Sequence, residues 1–361
     1  MRRLVFVDAL RGIAASAVVC QHTTLHFWPD SAFWNRISLG SFGVSLFFLC
    51  SGFVIPASLD RHNSLVQFWL GRCFRLYPLY WFSICAAVML GLAGRFPLPR
   101  GGENLGQIAL QNTTMVHGLV GTPNLIGVYW TLLFEMIFYT VISLLFLLRL
   151  HSRSEWLVGG LFVMPILVQV VSPRLFGSPW GPDLRGILIT LGLMFAGSAA
   201  YKWYSGALGT RAAAALVLIV PLGTLVAVDP EGIALTSTFG AGNQQFITVL
   251  SYLAAYAVFA LALWRQHLPT ALAAIGTISY SLYLTHSLVF TAFPVVGGTM
   301  ATALLSTATT VLISLVTYYA IERPGMALGK SLTLRYRQWN ARFAAWRTTS
   351  PGLGQMITRR R

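Results

Sequence analysis

The sequence predicts an all-α polytopic membrane protein of about ten transmembrane helices, with the N- and C-termini both cytoplasmic. Composition, the recurrence of apolar runs and the sorting of basic residues carry that prediction. Of 361 residues, 56% are hydrophobic and only 10% charged, and the mean hydropathy is +0.67. A soluble globular chain carries about 25% charged residues, and no soluble core could hide so much apolar surface. The apolar runs recur from end to end with short breaks, so one membrane domain is expected over 1–322, followed by a basic cytoplasmic tail over 323–361.

Crossing a hydrocarbon core of about 30 Å takes roughly 20 helical residues. Runs of that order fall near 5–27, 40–58, 78–95, 128–148, 156–172, 186–202, 212–228, 247–264, 271–293 and 299–320. Residues 1–27 resemble a signal peptide, with small residues at Ala15, Ser16 and Ala17, but these lie inside the apolar run and Arg11 interrupts it, so a retained first span is expected. An inside N-terminus puts Arg2, Arg3, Arg11, Arg61, Arg72, Arg75, Arg149, Arg153, Lys202, Arg211 and Arg265 on the cytoplasmic side. Only Arg36, Arg95, Arg100, Arg174 and Arg185 fall on the other, the sense the positive-inside rule requires. The formal charge of +15 is therefore topological, with no nucleic-acid partner implied. Cys20, Cys50, Cys73 and Cys85 show neither CxxC spacing nor a disulfide framework, and the seven histidines are too scattered for a zinc site, so no metal is expected.

Between these runs, the connection at about 96–127 holds a moderately amphipathic stretch from Asn104 to His117 suited to the interface. The tail mixes arginines with Trp339, Phe343 and Trp346, which suits an anionic membrane surface.

A charged side chain at the centre of a membrane helix costs roughly 2.5–3.5 kcal/mol, so each buried ionisable residue calls for a partner or a use. Asp8, Arg11 and His22 share the first run. Eleven residues at about 100° each return close to the same face, so Arg11 and His22 lie on one stripe, about 16 Å apart along the axis. Arg11 then stands near the cytoplasmic entrance and His22 beyond the midplane. A purely structural alternative pairs Asp8 with Arg11 and lets His22 bond a neighbouring helix. His26, one turn farther, reads as interfacial. Glu135 falls near the depth of His22, where a carboxylate can orient an imidazole. Gly276, Ser279, Tyr283 and His286 line one polar stripe of the ninth run, for substrate or for helix contacts. Arg72 and Arg75 fall one turn apart in a cytoplasmic connection before Pro78. They suit phosphate groups, or serve as a simple positive-inside anchor. Gly52 and Pro56 mark either a cavity-lining turn or close packing.

These segments together resemble the acyltransferase-3 family over nearly the whole chain. Arg11 and His22 match its Arg-x10-His signature, "FFLCSGF" at 47–53 its second-span motif, and "RCFRLYP" at 72–78 its Arg-x-x-Arg-Leu-x-Pro segment. "WTLLFEMIFY" at 130–139 resembles its Trp-Ser-Leu-x-x-Glu motif, with Thr131 keeping the hydroxyl, and "ISYSLYLTH" at 278–286 and "IERP" at 321–324 its C-terminal pattern. The resemblance implies a bacterial inner-membrane enzyme with no permanently bound cofactor, moving an acyl group, usually acetyl, from cytoplasmic acetyl-CoA to a hydroxyl of a cell-envelope or exported glycan. It implies His22, Glu135 and Arg11 as catalytic residues and Arg72, Arg75 and Arg11 as the acyl-CoA site. Partners are then the bilayer, acyl-CoA, a glycan or lipid-linked sugar, and either a second copy or a separate extracytoplasmic protein in place of the hydrolase-like domain fused to some members. A secondary transporter or flippase would also explain Arg11, Glu135 and His286, but not the ordered motifs.

Overall fold

The computed structural model describes residues 4–31, 37–97, 104–150, 182–216, 219, 244–292 and 299–349, and among these the regular structure is entirely helical. Eleven labelled helices follow in order: α1 (Val5–Phe27), α2 (Leu39–His62), α3 (Leu65–Leu92), α4 (Leu105–Asn112), α5 (Trp130–Leu147), α6 (Pro182–Tyr204), α7 (Gln244–Arg265), α8 (Thr270–Thr277), α9 (Ser279–Ala292), α10 (Met300–Thr317) and α11 (Arg323–Thr349). Six helical stretches among the described residues are long and apolar enough to cross a membrane, or seven if the bent pair α8–α9 is one span.

The surface is sorted as a lipid-facing protein requires. On α10, Leu304, Leu305, Leu312 and Val316 are exposed, whereas Ser306, Thr310, Ser314 and Thr317 are buried. Each of those hydroxyls returns to a carbonyl of its own helix, and Ser314 also meets Thr285 of α9 at 2.9 Å. Small hydroxyl residues make such helix contacts because hydrocarbon offers their polar atoms no other partner.

Two glycine-lined crossings bring the central helices to backbone contact. At α1 and α8, a Cβ on Gly12 would collide with the carbonyl of Leu272, and one on Gly276 with that of Asp8. Gly52 of α2 and Gly197 of α6 fit the same way, against the carbonyls of Met194 and Leu49. Gly52 is thus a packing residue, and α2 continues through Pro56 without a turn.

Four expected segments differ in form. The third begins at Leu65, so Arg72 and Arg75 lie within a 28-residue helix, not in a connection. Pro78 leaves the Phe74 carbonyl without its helical donor, and α11 covers that point closely at Gly325, where a Cβ would sit 2.8 Å from the oxygen. The ninth run is broken at Ile278, with α8 and α9 bent by 64°, so Gly276 leaves the stripe that Ser279, Tyr283 and His286 share. The last run does not stop near 320: a π-helical turn, Tyr318–Glu322, joins α10 to α11, which begins at Arg323. The Asn104 to His117 stretch forms the short α4 and folds back on α3, with Tyr80 Oη donating to the Asn112 carbonyl at 2.5 Å. The run at 156–172 and most of that at 212–228 lie outside the described residues.

Candidate active site

Because α1 runs unbroken from Val5 to Phe27, Arg11 and His22 stand on one straight helix, with the axial separation of about 16 Å that the helical rise requires. A cavity opens beside its N-terminal half, between α1, α2, α3, α5 and α9. Arg11, Arg72, Arg75, Glu135, Thr131, Ser279 and Tyr283 line it, together with apolar side chains of α2 such as Val44, Phe47 and Val54. Six of the candidate site residues thus share one cavity, although they come from four helices and Arg11 and Tyr283, at the lining's ends, are 272 positions apart in the chain.

The arginine end is held by a web of hydroxyls and carboxylates. Arg72 Nη2 donates to Ser58 Oγ at 3.2 Å, and its guanidinium lies over the Phe68 ring at 5.9 Å. Tyr139 Oη donates to Glu135 Oε1 and lies within electrostatic range of Arg72, so one phenol stands between carboxylate and guanidinium. Glu322 of the π-helical turn is buried, accepts from Ser281 Oγ at 2.8 Å and sits within electrostatic range of Arg75 and Arg11. Arg72 Nε and Ser279 Oγ are buried at this cavity with no hydrogen-bond partner among the described residues. Unsatisfied buried polar atoms are costly, so two at one cavity leave it with hydrogen-bonding capacity to be met. α11 supports this end from behind, where Arg337 Nε donates to Gln67 Oε1 at 2.9 Å.

His22 is not among the residues lining the cavity. Its ring packs against that of His286, with centroids 4.9 Å apart, and His286 stands 5.9 Å from the ring of Tyr283. The tautomer of His286 follows from its partners. Nδ1 lies 3.2 Å from the Leu282 carbonyl, which only accepts, so Nδ1 carries the proton and Nε2 accepts from Ser287 Oγ, also at 3.2 Å. Tyr283 closes the interval between this pair and the cavity, its hydroxyl 2.8 Å from Thr131 Oγ1. The geometry therefore sets His286 beside His22 and places Glu135 in the lining of the cavity it shares with Arg11, Arg72 and Arg75.

Two contributors were not singled out from the residues alone. Tyr139 has no unusual spacing, but it falls four residues after Glu135, the interval at which helix side chains meet. Glu322 stood within the "IERP" segment without a role; its signal was an acidic residue at the end of an apolar run.

A protein with that many ionisable groups buried between membrane helices has matches among known proteins. The family profile described as an acyltransferase domain matches residues 4–319. The chain is 28% identical over 223 residues to acyltransferase MdmB of Streptomyces mycarofaciens, covering 54% of this chain and 57% of that protein. It is 26% identical over 341 residues to exopolysaccharide production protein ExoZ of Rhizobium meliloti (strain 1021), covering 82% and 93%. Nodulation protein 10 of Rhizobium leguminosarum bv. viciae is 29% identical over 185 residues, 44% of this chain and 47% of that one. No solved structure matches. The match runs from the residue before α1 to the π-helical turn and so takes in every helix that lines the cavity, which makes this chain a member of the acyltransferase-3 family.

Proposed function

We propose that this membrane acyltransferase moves an acyl group, acetyl in the first instance, from acyl-CoA in the cytoplasm to a hydroxyl of a cell-envelope or exported glycan. The observation that carries the reading is the division of the polar residues on one helix, α1, between an arginine-lined cavity and a histidine pair. Arg72, Arg75 and Arg11 suit the phosphates of CoA, since guanidinium binds phosphate through paired, charge-assisted hydrogen bonds. The pantetheine arm then carries the thioester toward His22. Neutral His22 takes the proton of the acceptor hydroxyl as its oxygen attacks the thioester carbon. The C–S bond breaks as the C–O bond forms, and the proton passes to the leaving thiolate, giving ester and free CoA. Transfer through an acyl-histidine balances in the same way, with His22 as nucleophile. His286 keeps the His22 ring in place, and Glu135 acts through Tyr139 to orient Arg72.

The name of the exopolysaccharide production protein supports a glycan as acceptor. In this reading the chain spans the bacterial cytoplasmic membrane ten times with both ends inside, and uses no metal or permanently bound cofactor. Acyl groups leave either on glycan it modifies itself or through a separate extracytoplasmic partner.

The test is His22→Ala at wild-type membrane levels. Loss of a general base is expected to lower glycan O-acylation by about 10²–10⁴-fold, measured by mass spectrometry of the released glycan, while unacylated glycan still reaches the surface. Undiminished acylation would remove His22 from the chemistry, and loss of export itself would favour a flippase.

A further inference from the structure

The cavity ends, on the side toward His22, at two rings. Phe47 of α2 and Tyr283 of α9 both line it and meet edge to face, with centroids 5.6 Å apart and planes at 75°. They differ in how firmly they are held. Tyr283 is buried, and its hydroxyl is fixed by Thr131 Oγ1 at 2.8 Å and by the Val128 carbonyl at 3.3 Å. Phe47 is only half-buried and is held by apolar packing, against the main core and against a small cluster of Ala15, Val19, Leu282 and Phe290. On the far side of the Tyr283 ring stand His286 and then His22. One ring of the pair is thus fixed by hydrogen bonds and the other is positioned by packing alone.

We infer that Phe47 sets the length of the acyl group: the Phe47–Tyr283 ring pair admits a two- or three-carbon acyl chain to His22 and excludes longer ones. The inference rests on the acyl-CoA reading above and deepens it. Oxygen attack requires the thioester carbon to reach the hydroxyl at His22, so whatever extends beyond that carbon must pass between the rings or lie against them. A pocket of fixed shape discriminates each additional methylene by about 10–200-fold. The thioester still loses CoA and the hydroxyl still loses its proton whatever the chain length. Phe47 therefore alters the choice between donors, not the bonds made.

The experiment uses the full chain in membranes of the source organism lacking its own copy, which carry the native acceptor. Labelled acetyl-CoA, propionyl-CoA and hexanoyl-CoA are supplied separately, and label incorporated into glycan is measured for each. The wild type is expected to favour acetyl by at least about 100-fold. Phe47→Leu should raise the hexanoyl-to-acetyl ratio about 10-fold and Phe47→Ala further, while Phe47→Trp should lower the propionyl-to-acetyl ratio. A ratio of rates does not depend on how much enzyme folds, and Phe47→Leu alone decides the matter if the alanine variant is not recovered. An active wild type whose ratio moves in none of the variants, or which accepts both donors equally, overturns the role of Phe47. A wild type that transfers from no acyl-CoA overturns the donor reading and this inference with it.

Discussion

The N-terminal and C-terminal stretches of the polar axis along α1 are built from different chemistry. Around Arg11 there is open volume, three guanidinium groups, two carboxylates and hydroxyls that tie them together. Around His22, aromatic rings pack on one another, His286 against His22 and Phe290, and the polar atoms of His286 are already taken by Leu282 and Ser287. A charged, roomy site can bind a large polyanion, and a packed, uncharged one can keep an imidazole neutral and dry for proton transfer. Substitutions in the first stretch should therefore act on donor binding, and in the second on turnover.

Arg72→Ala combined with Arg75→Ala tests the first stretch most severely. Each charge-assisted contact is worth about 1.5–3 kcal/mol, so the KM for acyl-CoA should rise by at least about 10²-fold, with kcat at saturation changed far less. Direct binding of acyl-CoA in detergent checks the same point, and unchanged affinity would return both arginines to a topological role. His286→Gln tests the second. A misplaced His22 should lower kcat by about 10-fold and leave the KM for acyl-CoA where it was; a rise in KM instead would mean that donor binding reaches past Tyr283.

Much of this contrast was legible before any coordinates. The apolar runs place α1, α2 and α7 closely, because a membrane helix must satisfy its backbone internally and so announces its length in composition. Arg11 and His22 fall where helical rise puts them. The limits were equally physical. Hydropathy sees the charges of Arg61, Arg72 and Arg75 as the end of a span, whereas α3 continues through them because Ser58, Phe68 and Tyr139 surround Arg72 inside the bundle. The bend at Ile278 and the π-helical turn that brings Glu322 inward leave no mark on periodicity. Depth suggested a carboxylate for His22 but does not say which way a side chain points, and the neighbour that periodicity did not single out for it is His286.

The assignment of Glu135 to the arginine side can be broken by the smallest change of all, Tyr139→Phe. It removes one oxygen, the atom that donates to Glu135 within electrostatic range of Arg72, and keeps the ring that packs against Phe68 and Trp69. A hydrogen bond of this kind contributes about 1 kcal/mol, so the KM for acyl-CoA should rise about 5-fold at constant kcat. If kcat falls and KM holds, Glu135 is coupled to the histidine pair after all, and the two stretches act as a single unit. Adding Tyr139→Phe to the double arginine variant separates the two cases again, because a phenol that works only through Arg72 has nothing left to orient there and should add no further rise in KM.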